Sequence, residues 1–256
     1  MPEDVSPSEQ KLITELNSTE TILKSVSKEA SPQKWAEMMN LKGIILLNLK
    51  RHKEAGDIFA QALSAAGDAL KIKILINHAK SSYYAKNPEQ ALELLSRVFQ
   101  LFKSAKKIPL NLFMAHAHML RGQIFFHGKQ EKKALADFRQ AEFYFEAETD
   151  LKGVGLACME IARIHINNKN MTTGWNYLKK SENCFRKFGD EESMGVAVCK
   201  ATALLHAGRE DEAQELLKKT YERVNEFGMA RYMIYEVLDA YLDIRTRMPQ
   251  FSVNLT

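Results

Sequence analysis

Two side-chain arrangements in this chain have residue types suited to chemistry: a histidine pair, and a thiol on the same helical stretch as an imidazole. His116 and His118 are two positions apart, which on a helix turns them roughly 200° away from each other, so the pair cannot chelate a metal by itself. They read as surface or groove histidines. Cys199 and His206 are seven apart on one helix face, about two turns or ~10 Å along the axis, too far for the imidazole to activate the thiolate. Buried packing is the role expected of that thiol. The chain has no glycine-rich phosphate loop, Cys-x-x-Cys pair, His-Glu-x-x-His or Gly-x-Ser-x-Gly, the local signatures of nucleotide, redox, metalloprotease and hydrolase sites. Glu210, Asp211 and Glu212 suit the N-terminal end of a helix, where negative charge meets the positive end of the dipole. The expectation is no catalytic residue, no metal site and no cofactor.

The elements that carry these residues recur. Five pairs of small residues stand twelve positions apart: Gly43/Ala55, Ala79/Ala91, Gly122/Ala134, Ala162/Gly174 and Ala201/Ala213. Antiparallel helices approach closely only where neither carries a bulky side chain, so each pair marks the contact point of a helix hairpin. Four positions after the second small residue comes a large apolar one, Phe59, Leu95, Phe138, Leu178 or Leu217, and three further on a smaller one, Ala62, Val98, Ala141, Ser181 or Thr220. Prolines punctuate the pattern. Ser6-Pro7, Ser31-Pro32, Asn87-Pro88 and Ile108-Pro109 predict helix starts, because a first-turn amide has no helical acceptor and proline loses nothing there. The turns inside the hairpins are Lys50-Arg51, Lys86-Asn87, Gly128-Lys129, Asn168-Lys169 and Gly208-Arg209, and Gly or Asn is expected to take the left-handed backbone. A pass along the chain predicts twelve helices and almost no strand.

On these residues the chain resembles the tetratricopeptide repeat family, most closely in "LKGIILLNLKRHKEAGDIFAQAL" and "LRGQIFFHGKQEKKALADFRQA". The fourth unit departs from the pattern with Gly174 where Ala is usual. Successive second small residues (55, 91, 134, 174, 213) are spaced 36, 43, 40 and 39 apart, longer than the standard repeat of about 34. Together with the "ETDLKG" and "FGDEESMG" turns, this is similar to the roughly forty-residue variant found in bacterial signalling regulators and adaptor proteins. The resemblance implies an all-α, right-handed superhelical array of antiparallel helix hairpins. The expected organisation is an acidic N-terminal segment and helix over 1–30, hairpins at about 32–66, 68–105, 109–147, 151–187 and 190–227, a capping helix over 228–247, and a flexible tail over 248–256.

In such arrays the first helix of each hairpin lines the concave groove. Carried over position by position, the resemblance implies a partner-binding set of Asn40, Asn48, Asn77, Lys80, Tyr83, Tyr84, Met119, Gln123, His127, Met159, Arg163, Asn167, Thr202 and His206. Its mixture of cations, aromatics and methionines suits an amphipathic helix or an extended peptide of some acidic character. Apolar groove positions such as Ile44, Leu47, Phe126, Ile166 and Leu205 can equally pack repeat on repeat. Family members that clamp C-terminal carboxylates need fixed Lys, Asn and Arg donors. Here Asn40, Ile44, Asn77, His116 and Leu120 stand at those places, and only Asn77 fits.

Composition sets the remaining bounds. The chain is 45% hydrophobic and 27% charged, with 12 Gly and 6 Pro, ample for a continuous helical core. No run approaches the roughly 18 apolar residues of a membrane span, and the polar, acidic start "MPEDVSPSEQ" does not read as a secretory signal, so a cytoplasmic protein without membrane insertion is expected. Cys158, Cys184 and Cys199 are odd in number and fall inside helical patterns, which suits buried thiols. The formal charge is +4. Basic pairs such as Lys132-Lys133 and Lys179-Lys180 stand close to acids and read as solvated faces, which argues against nucleic acid as the partner.

Two end segments carry apolar faces. Leu12, Ile13, Leu16, Leu23 and Val26 form one on the N-terminal helix, which either caps the first hairpin or occludes the groove. Residues 229–246 are apolar over more than half the helix circumference, so a second contact is expected there through Tyr235 and Leu242, either a homodimer or the partner itself. The sequence thus predicts a non-catalytic adaptor holding a peptide or helix of a partner protein. The alternative is a peptide sensor whose superhelix changes on binding.

Overall fold

The computed structural model describes residues 7–104, 111–186 and 190–226. These form eleven helices, and there is no strand among the described residues. The chain divides into two compact units, residues 1–137 and 138–256.

Unit 1 contains α1 (Pro7–Ser25), α2 (Pro32–Asn48), α3 (His52–Ala62), α4 (Asp68–Tyr84), α5 (Pro88–Ser104), α6 (Asn111–His127) and the first part of α7 (Glu131–Ala147). Proline opens α1, α2 and α5. Ser31 stands at the N-cap of α2 but makes no side-chain cap bond, so proline geometry alone marks that start. Gly43 and Ala55 are both buried at the crossing of α2 and α3, and a Cβ on Gly43 would overlap the Phe59 ring. Phe59 is fully buried in a core with Leu16, Met39, Ile45, Leu46, Ala62 and Ile74. Leu16 belongs to α1, which packs on α2 with Leu12 and Leu23 against the same core and with Glu20 paired to Lys42 at 2.8 Å. The N-terminal helix therefore covers the first hairpin.

Unit 2 holds the remainder of α7, then α8 (Leu151–Asn167), α9 (Met171–Phe185), α10 (Asp190–His206) and α11 (Glu210–Glu226). Asp150 caps α8, accepting from the Gly153 amide at 3.0 Å. Gly174 has a local cause: a Cβ there would lie 2.7 Å from Cγ1 of Ile166, so the usual Ala does not fit opposite this isoleucine. Cys158 and Cys199 are buried, whereas Cys184 is only half-buried, a correction to the reading of three buried thiols. Burial, then the nearby Glu142 carboxylate, pushes the Cys158 thiol well above its usual range, which leaves it inert.

The first helices of all five hairpins, α2, α4, α6, α8 and α10, are 17 residues long. Each ends in the same double hydrogen bond. In the first, the amide of Lys50 donates to the carbonyl of Leu47 at 3.0 Å and that of Arg51 to Leu46 at 2.9 Å, a Schellman closure that puts the first of the two donor residues in the left-handed region. Those residues are Lys50 (φ 59°), Lys86 (66°), Lys129 (56°), Lys169 (60°) and Gly208 (71°). Gly128 and Asn168, expected to take this conformation, stand one position too early. The hydrogen-bond count from the helix end, not the side-chain preference, chooses the residue. The helix over 228–247, with Tyr235 and Leu242, and the tail after it lie outside the described residues.

Candidate functional site

In unit 1 the first helices lie side by side, with α4 packed against both α2 and α6. Two of the predicted groove residues meet across α2 and α4, where Nδ2 of Asn77 donates to Oδ1 of Asn40 at 2.9 Å. Asn40 is 4% exposed, so it positions Asn77 instead of facing a ligand itself. Asn77 is half-buried. Its own Oδ1 and second amide hydrogen have no hydrogen-bond partner among the described residues, which leaves it one acceptor and one donor.

One turn further along α4, Lys80 is exposed and stands 5.8 Å from the centre of the Tyr84 ring. Tyr83 reaches α6, with its hydroxyl 2.8 Å from Nδ1 of His127. The same Nδ1 lies 2.8 Å from the carbonyl oxygen of Gln123. A carbonyl can only accept, so Nδ1 carries a proton. Asn48, Tyr84 and His127 are exposed, while Met119 and Gln123 are half-buried.

His118 departs from expectation. It is 8% exposed, with Nδ1 2.7 Å from Oδ1 of Asp137 on α7 and its ring 4.8 Å from that of Phe99. Arg121 grips the same carboxylate with Nε at 2.8 Å and Nη2 at 2.7 Å while its guanidinium sits 4.0 Å from the Phe99 centroid. This cluster ties α6 to α7 and α5. Burial pushes the Asp137 carboxyl up, but the hydrogen bonds from His118 and Arg121 outweigh it and hold the group below its ordinary range. Neither Arg121 nor Asp137 was singled out by the sequence. The only signal is positional: each immediately precedes a core residue of the repeat pattern, Gly122 and Phe138. His116, two residues away, is exposed.

Unit 2 carries the other expected residues. Met159 is half-buried against the core and lies where a Cβ on Gly195 would meet its sulfur at 2.6 Å, so it fills the α8–α10 contact. Arg163 is half-buried beside Glu160 at 3.7 Å. Thr202 donates to the carbonyl of Val198 on its own helix at 3.0 Å. Asn167 and His206 are exposed, while Cys199 is buried. Of the apolar groove positions, Ile166 is 1% exposed and packs as core. Lys180 bridges Glu142 and, at 2.7 Å, Glu146. Among the described residues no three His, Cys, Asp or Glu side chains come together to hold a metal ion, and no helix is long and apolar enough to cross a membrane.

A tetratricopeptide repeat model matches residues 76–148, the stretch from the Asn77 turn of α4 through α7. That stretch carries tetratricopeptide repeats. The solved structures agree in fold. The apo form of RapI is 15% identical, with a TM-score of 0.69 over 96% of this chain and 73% of its own. The apo form of the quorum sensor NprR from B. thuringiensis is 13% identical, with a TM-score of 0.67 over 95% of this chain and 66% of its own. A kinesin light chain with TPR-like repeats from Podosopora anserina is 13% identical, with a TM-score of 0.60 over 76% of this chain and 96% of its own. No curated protein matches in sequence. Within each unit first helices pack on one another, α4 on α2 and α6, and α8 on α10, and the predicted groove residues lie on these helices.

Proposed function

We propose that this protein is a non-catalytic cytoplasmic adaptor that holds a peptide or helix of a partner protein against the first helices of its tetratricopeptide repeats. The observation that carries this reading is the Asn40–Asn77 hydrogen bond. It fixes a half-buried amide between two repeats with one acceptor and one donor unspent, the pair of groups that a peptide backbone satisfies. Lys80, Tyr83 and His127 flank it with charge and aromatic surface. Met159, Arg163, Asn167, Thr202 and His206 are the proposed set of unit 2, and Tyr235 and Leu242 remain the proposed second interface. Asn77→Ala combined with Lys80→Glu should weaken capture of the native partner more than about tenfold while the circular dichroism spectrum is unchanged. Unaltered affinity in a folded variant would remove the site from this face.

A second reading, a sensor whose repeats rearrange on binding, is favoured by the fold shared with the quorum sensor NprR. Solution scattering separates the two. A sensor changes its radius of gyration when ligand binds, and an adaptor binds as a rigid body.

A further inference from the structure

The left-handed lysines of unit 1 stand at the same place in three successive hairpins. Lys50, Lys86 and Lys129 follow α2, α4 and α6, all three are exposed, and none has an acidic partner among the described residues. Other cations of these turns are engaged: Arg51 with Glu54, and Lys133 with Gln130 at 2.8 Å. Two positions before each left-handed lysine is an exposed polar or aromatic side chain, Asn48, Tyr84 and His127 in turn. Rings join the hairpins along the same edge. His52 lies 5.3 Å from Tyr84, Tyr84 lies 5.6 Å from Tyr83, and Tyr83 lies 6.1 Å from His127. The edge of unit 1 at these turns is therefore a rim in which unpaired ammonium groups alternate with aromatic surface, once per repeat.

We propose that this rim docks an extended acidic segment of a partner protein, with an acidic side chain at about every third position. Helices packed side by side are 8–10 Å apart, so equivalent lysines of adjacent hairpins repeat on the order of 10 Å. An extended chain of polyproline II form advances about 3.1 Å per residue with three residues per turn, so every third side chain lies on one face about 9 Å after the last. Carboxylates at this spacing meet successive ammonium groups, and the residues between them lie over the rings. A single-stranded nucleic acid fits less well, since base stacking wants open ring faces. Here neighbouring rings are inclined by 37° to 46°, and Tyr83 is hydrogen-bonded to His127. The inference rests on the reading of the chain as a peptide-binding array, but its cations are the lysines of the turn edge, and it shares with the Asn77 face only the rings of Tyr83 and His127.

The test uses fluorescence anisotropy of the full chain with a labelled peptide of about nine residues, carrying Asp at every third position with Tyr and Gly between. A peptide of identical composition with its three Asp adjacent and an oligothymidylate serve as competing probes. The variant is Lys50→Gly, Lys86→Gly, Lys129→Gly, because glycine removes the charge and accepts the left-handed backbone, so folding is kept. The spaced peptide is expected to bind the unaltered protein about tenfold tighter than either other probe, and to lose about tenfold in the triple variant. Equal binding to the triple variant, or to the peptide with adjacent Asp, overturns the proposal, and tighter binding of the oligothymidylate assigns the rim to nucleic acid. If the triple variant binds the spaced peptide normally while Asn77→Ala abolishes native-partner capture, the rim fails and the adaptor reading stands. If the triple variant loses the spaced peptide while Asn77→Ala leaves native-partner capture unchanged, the Asn77 face fails and the rim stands.

Discussion

Asp137 holds His118 at 2.7 Å through Oδ1, and Arg121 grips both oxygens of the same carboxylate. With Asp137 only 4% exposed, removing it leaves the buried His118 and the half-buried Arg121 without their shared acceptor. Asp137→Ala should therefore cost about 3 kcal/mol of folding stability, the range for breaking a buried pair from one side. Urea denaturation measures it, and a loss below about 1 kcal/mol would show that the cluster does not secure α6 on α7.

The same carboxylate sets an acid limit. Because its pKa is depressed in the folded state, its contribution is complete above the unfolded value of about 3.9 and is lost as pH falls through the lower folded value. Thermal melts between about pH 5 and pH 2 should fall steeply for the unaltered protein and less steeply for Asp137→Asn.

His78 acts in a different window. It is 8% exposed and its Nδ1 has no hydrogen-bond partner among the described residues, and burial, with Arg97 adding to it, lowers its pKa. The unfolded imidazole binds its proton near pH 6.5 and the folded one only at lower pH, so stability present above about 6.5 is lost on acidification below it. His78→Leu should shrink the fall in melting temperature between about pH 7 and pH 5. An unchanged slope would mean that this ring is hydrated in solution.

Gly43 has no room for a methyl group against Phe59. Gly43→Ala should destabilise by about 1–3 kcal/mol through overpacking. Adding Phe59→Leu should cost less than the sum of the two single changes, because the smaller side chain makes the space. Strict additivity in a double-mutant cycle would contradict the contact.

Each left-handed lysine is strained where glycine is not. Lys50→Gly, Lys86→Gly and Lys129→Gly should each raise stability by about 0.5–1 kcal/mol, read from denaturant midpoints. A decrease would mean that these lysines hold their turns through contacts of their own.

Much of the fold is local and was legible. Small residues twelve apart, such as Gly43 and Ala55, identify helix crossings because close approach forbids bulk at both contact points, and all ten of them are buried. Proline marks the starts of α2 and α5 for an equally local reason, since it sacrifices no hydrogen bond in a first turn. The site was legible only in outline. Lys80, Tyr84 and His127 are exposed on α4 and α6, but that Asn40 would be buried as the support of Asn77 depends on two helices meeting 37 residues apart in sequence.

The sequence by itself determined an all-α array of hairpins, because helical period, small-residue contacts and proline punctuation act within a few turns of chain. Tertiary structure alone decided that His118 is a buried partner of Asp137, since a polar residue's burial depends on what the neighbouring helix brings to it across 19 residues. The hydrogen bonds that close each first helix decided that Lys50, Lys86, Lys129 and Lys169, not Gly128 or Asn168, take the left-handed backbone. A helix ends where its packing ends, and the residue two places beyond must turn whatever its side chain prefers.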